Sequence, residues 1–111
     1  MSEQPTELLQ GTLDMLILNT LALAPLHGVG IARRIEQVTQ GAFLVKPGSL
    51  FPALHRMEDA GWVSSEWGAT DTGRRAKFYR LSQAGRRQLE SETQRWGRAS
   101  LAVNRALGAA S

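Results

Sequence analysis

The chain has 111 residues and no cysteine. That absence excludes disulfides, thiolate zinc sites and cysteine nucleophiles, and it suits a reducing cytosol. Only two histidines are present, His27 and His55. Neither has a thiolate or a carboxylate cluster nearby in sequence, so no metal site and no cofactor are expected. The longest stretch without charge starts at Met15 and stops at Arg33, but its strongly apolar part ends at Leu23. That is too short to cross a bilayer. The first residues carry neither the basic segment nor the cleavage site of a signal peptide. A soluble, cytoplasmic protein without a membrane partner is expected. No nucleophile–base pair can be assembled, and the adjacent Glu58 and Asp59 do not share a helix face, so they are expected as solvated charges. No catalytic residue is therefore assigned and an enzyme is not expected. "GVGIAR" (28–33) opens like a dinucleotide-binding loop, but it ends on Arg33 and follows a helical segment rather than a strand.

What the sequence does have is basic charge in one place. "RRAKFYRLSQAGRR" (74–87) holds six bases and no acid. From Lys46 to Arg87 there are eight bases and four acids; the rest of the chain has five bases and six acids. Net charge is only +3, yet the basicity is concentrated as in a docking surface for a polyanion.

Periodicity predicts the order helix, helix, helix, hairpin, helix. In the first helix, "ELLQGTLDMLILNTLALAP", Leu9, Leu13, Leu16, Ile17, Thr20 and Leu21 recur at helical spacing, and further apolar residues cover other sides. One side can face the core and another a second subunit. Pro25 ends it, and "LHG" reads as a turn. The second helix, Val29 to Thr39, turns Ile31, Ile35 and Val38 inward, with Gly41 as C-cap. "AFLV" reads as a short strand or extended link. The third helix places Leu50, Ala53, Leu54 and Met57 on the core. Its start is open between Pro47 and Ser49, because Pro47 suits the first helical position and Pro52 favours a cap at Ser49. Its opposite face carries Ser49, Pro52, His55 and Arg56, with Phe51 nearby. "WVSSEW" and "AKFYRL" flank a loop with turn chemistry and read as a hairpin held to the body by Phe78 and Tyr79. Ser82 caps a last helix running to about Leu107. There Leu89, Thr93, Trp96, Ser100, Val103 and Leu107 form a short heptad seam that wants a partner.

The fold class is thus mainly α with a small β-hairpin: a winged helix-turn-helix over residues 1–82 and a C-terminal dimerisation helix over 83–111. In that architecture the third helix enters the major groove of double-stranded DNA and the wing lies along the backbone or minor groove. DNA contacts are expected from Lys46, Ser49, Phe51, Pro52, His55, Arg56, Arg74, Arg75 and Lys77. Arg56 either reads a guanine or holds a phosphate; Arg86 and Arg87 either assist or are solvated. The dimer interface is expected to use Leu9, Leu13, Leu16, Leu89, Thr93, Trp96, Ser100, Val103 and Leu107. Trp96 serves either as a packing anchor or as a platform for a planar, hydrophobic small molecule. The alternative is a protein–protein module whose basic wing binds an acidic partner.

"LHGVGIARRIE" (26–36), "GSLFPALHRMEDAGWV" (48–63) and "GRRAKFYRLSQAG" (73–85) together resemble the PadR family of bacterial transcriptional regulators. The likeness spans roughly Leu8 to Leu107. It implies a homodimeric winged-helix repressor acting on a palindromic operator, in the short form with one C-terminal dimerisation helix. Two positions depart from the family pattern: Val29 and Phe51 stand where tyrosine is frequent. At residue 51 the missing phenol removes a possible hydrogen bond to a phosphate.

Overall fold

Leucines and isoleucines at helical spacing put one helix at the centre of the fold. The computed structural model describes residues 10–109. In the first helix, α1 (Gln10–Leu23), Leu13, Ile17, Leu18 and Leu21 are buried, and Thr20 is buried with its hydroxyl donating to the Leu16 carbonyl at 2.9 Å. Apolar on most sides, α1 packs against the other three helices and the sheet. Leu9 lies outside the described residues. Leu13, expected at a dimer interface, instead belongs to the core of its own chain.

The segment expected as a turn at "LHG" is a two-residue strand, β1 (Leu26–His27). Its pairing partner is distant in sequence, so no local pattern announces it. His27 is then the N-cap of α2 (Gly28–Val38), where Ile31 and Ile35 are buried. Val38, expected inward, is exposed at the end of the helix. The C-cap is Thr39 rather than Gly41, and the Gly41 N–H returns to the Glu36 carbonyl at 2.8 Å. "AFLV" is an extended link outside the sheet.

The third helix, α3 (Pro47–Asp59), starts at the earlier proline, with Lys46 as N-cap in extended backbone. Pro52 therefore lies inside the helix, where it has no N–H to offer the Gly48 carbonyl. Leu50, Ala53, Leu54 and Met57 are buried as the spacing predicts.

The hairpin consists of β2 (Val63–Ala69) and β3 (Arg75–Leu81). With β1 it makes a three-stranded antiparallel sheet in the order β1-β3-β2. Register places Leu26 and Ser65 opposite Tyr79, and His27 and Glu66 opposite Phe78. Alternation then sends Tyr79 and Leu81 into the core, while Phe78 meets the His27 ring on the other face at 5.3 Å. Both aromatics hold the hairpin, from opposite sides.

The last helix, α4 (Gln83–Ala109), is capped by Ser82. The Ser82 hydroxyl accepts from the Gly85 N–H at 2.9 Å and donates to the Gly61 carbonyl at 2.6 Å. Gly85 sits against the Trp62 carbonyl and the Leu81 side chain, leaving no room for a Cβ. Leu89 packs on the core, and beyond it α4 leaves Trp96, Leu101, Val103 and Leu107 exposed. Among the described residues no helix is long and apolar enough to cross a membrane.

Candidate nucleic-acid interface

Four buried residues at i, i+3, i+4 and i+7 pin α3 to the core and force the remainder of its surface outward. Ser49, Phe51, Pro52 and His55 are exposed there, with Lys46 at the helix start. Donor capacity on this face is slight: one hydroxyl and one imidazole.

Arg56 does not stand with them as a free cation. Its guanidinium donates to both carboxylate oxygens of Asp14 on α1, Nη1 to Oδ2 at 2.9 Å and Nη2 to Oδ1 at 3.0 Å. Asp14 is only 6% exposed. The hydrogen bonds that it donates to Asp14 push Arg56 above its already high range, against a smaller opposing effect of burial. Sequence reasoning passed over Asp14 because it lies 42 residues from its partner, on a helix read for its leucines.

The wing turn is closed by Gly73 N–H to Thr70 O at 2.9 Å and Thr70 N–H to Arg74 O at 2.8 Å. The Thr70 hydroxyl also accepts from the Arg74 N–H at 3.2 Å. A fixed turn holds Arg74 at the exposed tip. The three cations expected to act alike differ in their surroundings. Arg75 lies over the Trp67 ring, 4.7 Å from its centre. Lys77 is drawn back to Glu58 of α3, Nζ to Oε1 at 3.8 Å.

Glu58, expected as a solvated charge, is half-buried and also accepts from the Ser65 hydroxyl at 2.6 Å. It ties α3 to the sheet. Burial pushes the Tyr79 phenol above 10.0, and the Glu58 charge adds to that shift. Asp59 is exposed as expected.

Arg33 was not among the expected contacts. It lies on the outward face of α2 and, with Val29 of the same helix, lines a cleft against Thr72, Arg74 and Arg75 of the wing. Its outward position was readable from the helical period; its nearness to the wing was not. Trp67, exposed beneath Arg75, was likewise passed over.

On α4, Trp96 is 54% exposed and lines a groove with Gly11, Thr12 and Met15 of α1 and Glu92 and Arg95 of its own helix. Thr93 and Val103 are exposed and Ser100 is half-buried, as is Leu16 on α1. Among the described residues no group of three or more His, Asp or Glu is placed to hold a metal ion.

The family model described as "Transcriptional regulator PadR-like family" matches residues 17–91. A transcriptional regulator from Mycobacterium tuberculosis is 34% identical over 76 residues, covering 68% of this chain and 67% of that protein. A PadR family transcription regulator from Clostridium difficile superposes with a TM-score of 0.73 at 30% identity, covering 86% of this chain and 97% of the other. A PadR-like transcriptional regulator from Bacillus cereus gives 0.78 at 27% identity, covering 92% and 97%.

Proposed function

The chain belongs to the PadR-like family of transcriptional regulators, which bind DNA and are not enzymes, and on that premise we propose that it is a cytoplasmic, homodimeric repressor of a palindromic operator. Residues 1–82 form the DNA-binding unit and 83–111 the dimerisation helix. The observation that carries the reading is the exposed face of α3 standing beside an arginine-tipped wing. Ser49, Phe51, Pro52 and His55 enter the major groove, while Lys46, Arg74, Arg75 and Lys77 face phosphates. Arg33 joins them, and Arg56 positions α3 from behind.

Pairing of α4 across a two-fold axis covers the exposed Trp96, Val103 and Leu107, which water otherwise wets. Leu16, Leu89, Thr93 and Ser100 complete that contact. Two linked copies read half-sites about one helical turn apart. The Trp96 groove supports a role for a planar aromatic effector that stacks on the indole and relieves repression.

Selection of duplexes from a random library, followed by sedimentation of the protein with the selected duplex, tests the proposal. The expected result is an inverted repeat bound by two chains. Binding of random duplex alone, or of a single chain per site, overturns it. Trp96→Ala then separates ligand platform from packing anchor. A platform leaves the dimer and its operator affinity intact and abolishes the response to planar aromatic compounds. A weakened dimer assigns the tryptophan to packing.

A further inference from the structure

The outward face of α3 is short of hydrogen-bonding groups, and its apolar content is not used by the core. Phe51 is 45% exposed although it stands next to the buried Leu50. Its ring is held in place, because its Cε1–Cζ edge lies against Gly28 at the start of α2. A Cβ there would come within 2.8 Å of the ring. Only glycine lets the ring settle so close to the α2 backbone.

Val29, the next residue of α2, is 52% exposed and lines the same groove as Phe51. Pro52 follows Phe51 on the exposed face of α3. Phe51 and Val29 make an apolar stripe running from α3 toward the wing, with Pro52 exposed next to Phe51 on α3. Charged residues border it: Arg33 and Glu36 in the groove itself, and Arg74 and Arg75 with Asp71 across the neighbouring cleft.

An apolar stripe beside three arginines, on the helix that faces DNA, matches one feature of the major groove. The thymine 5-methyl is the only apolar group that base edges present there. Arg56, the one side chain on α3 able to hold a guanine with two hydrogen bonds, already gives two of its five N–H groups to Asp14. Pro52 and Phe51 have no donors at all. We propose that this protein selects its operator chiefly through van der Waals contact of Phe51 and Pro52 with thymine methyls, Val29 flanking them, rather than through arginine–guanine pairs. The inference rests on the DNA-binding reading above and deepens it, naming what the site recognises. Apolar contact excludes water from the methyl and gains from its burial, while a cytosine at the same step presents only a C5–H where the methyl was and forfeits that gain.

The test uses the full chain and the duplex that it selects from a random library. Each thymine of the site is replaced in turn by deoxyuridine, which removes the methyl and keeps the base pair. Expected is a loss of about fourfold in affinity at one or more thymines per half-site, the effect of one buried methyl group. Phe51→Ala and Pro52→Ala are then measured on the same duplexes. Both lie on the surface of α3, and circular dichroism confirms that they fold. In the variants the deoxyuridine penalty at the matching thymine disappears, while penalties elsewhere persist. Equal affinity for thymine and deoxyuridine at every position overturns the inference and leaves DNA binding standing. Penalties that survive unchanged in both variants assign the effect to duplex shape and also overturn it. Failure to enrich any duplex rejects the DNA-binding reading itself, and this inference with it.

Discussion

Asp14 and Arg56 are joined by two parallel hydrogen bonds, at 2.9 and 3.0 Å, that fasten helix α3 to the central helix α1. The pair is asymmetric, since the aspartate side chain is 8% exposed and the arginine 42%. Arg56→Ala leaves a buried carboxylate without its partner, whereas Asp14→Ala leaves an arginine that water can reach. Arg56→Ala is therefore expected to be the more damaging, by a loss on the order of 1–3 kcal/mol in denaturant unfolding. On DNA, Arg56→Ala weakens all single-base operator variants alike, because it loosens the helix without removing a base contact. A loss confined to one base position assigns Arg56 to direct reading.

Tyr79 is the single tyrosine of the chain, so tyrosinate absorbance reports on it alone. Burial, assisted by the Glu58 charge, holds its pKa above 10.0 in the fold. The folded state thus binds the phenolic proton more tightly than the unfolded chain. Its contribution to stability is complete below the unfolded value and is lost as pH rises through the folded one. The ionisation midpoint of the native protein is expected above that in denaturant, and Glu58→Gln brings it part of the way down. Coincident native and denatured midpoints contradict the packing described for β3.

The wing cations are expected to differ in their effect on salt dependence. A phosphate contact contributes about 0.9 to the slope of log affinity against log salt. Arg74→Ala should remove a full contact, since it stands at the exposed tip. Lys77→Ala should remove less, because the Nζ is shared with Glu58 at 3.8 Å. Slopes measured for the single variants and the Arg74, Arg75, Lys77 triple variant check the order; an unchanged slope in the triple variant removes the wing from the interface.

Gly85 marks where α4 leaves the body. Any Cβ there meets the Trp62 carbonyl, which is backbone and cannot swing away, and comes within 2.7 Å of Leu81. Gly85→Ala is expected to cost about 1–3 kcal/mol or more. Gly48→Ala, where a Cβ meets nothing within 4 Å, should leave stability unchanged or raise it by up to about 1 kcal/mol. Chemical denaturation of both variants checks the contrast.

What the sequence by itself determined is what acts over a few residues. Leucine spacing set the core face of α1, Ile31 and Ile35 set that of α2, and the threonines and glycine of the wing set the hairpin. Ser82 could be read as a cap because its partner, the Gly85 N–H, is three residues away. The tertiary structure decided what depends on contacts between distant segments. β1 exists because β3 lies beside it, and a two-residue strand has no periodicity of its own. Val38 followed the inward period yet is exposed, since the body ends before the helix does. The charges show this most plainly. Arg56, Lys77 and Arg74 look alike in the sequence, but one is held by Asp14, one leans on Glu58, and one stands at the tip of a turn. A long cationic side chain takes its role from whichever carboxylate the packed helices bring within reach, and that is set by the assembled core rather than by its neighbours along the chain.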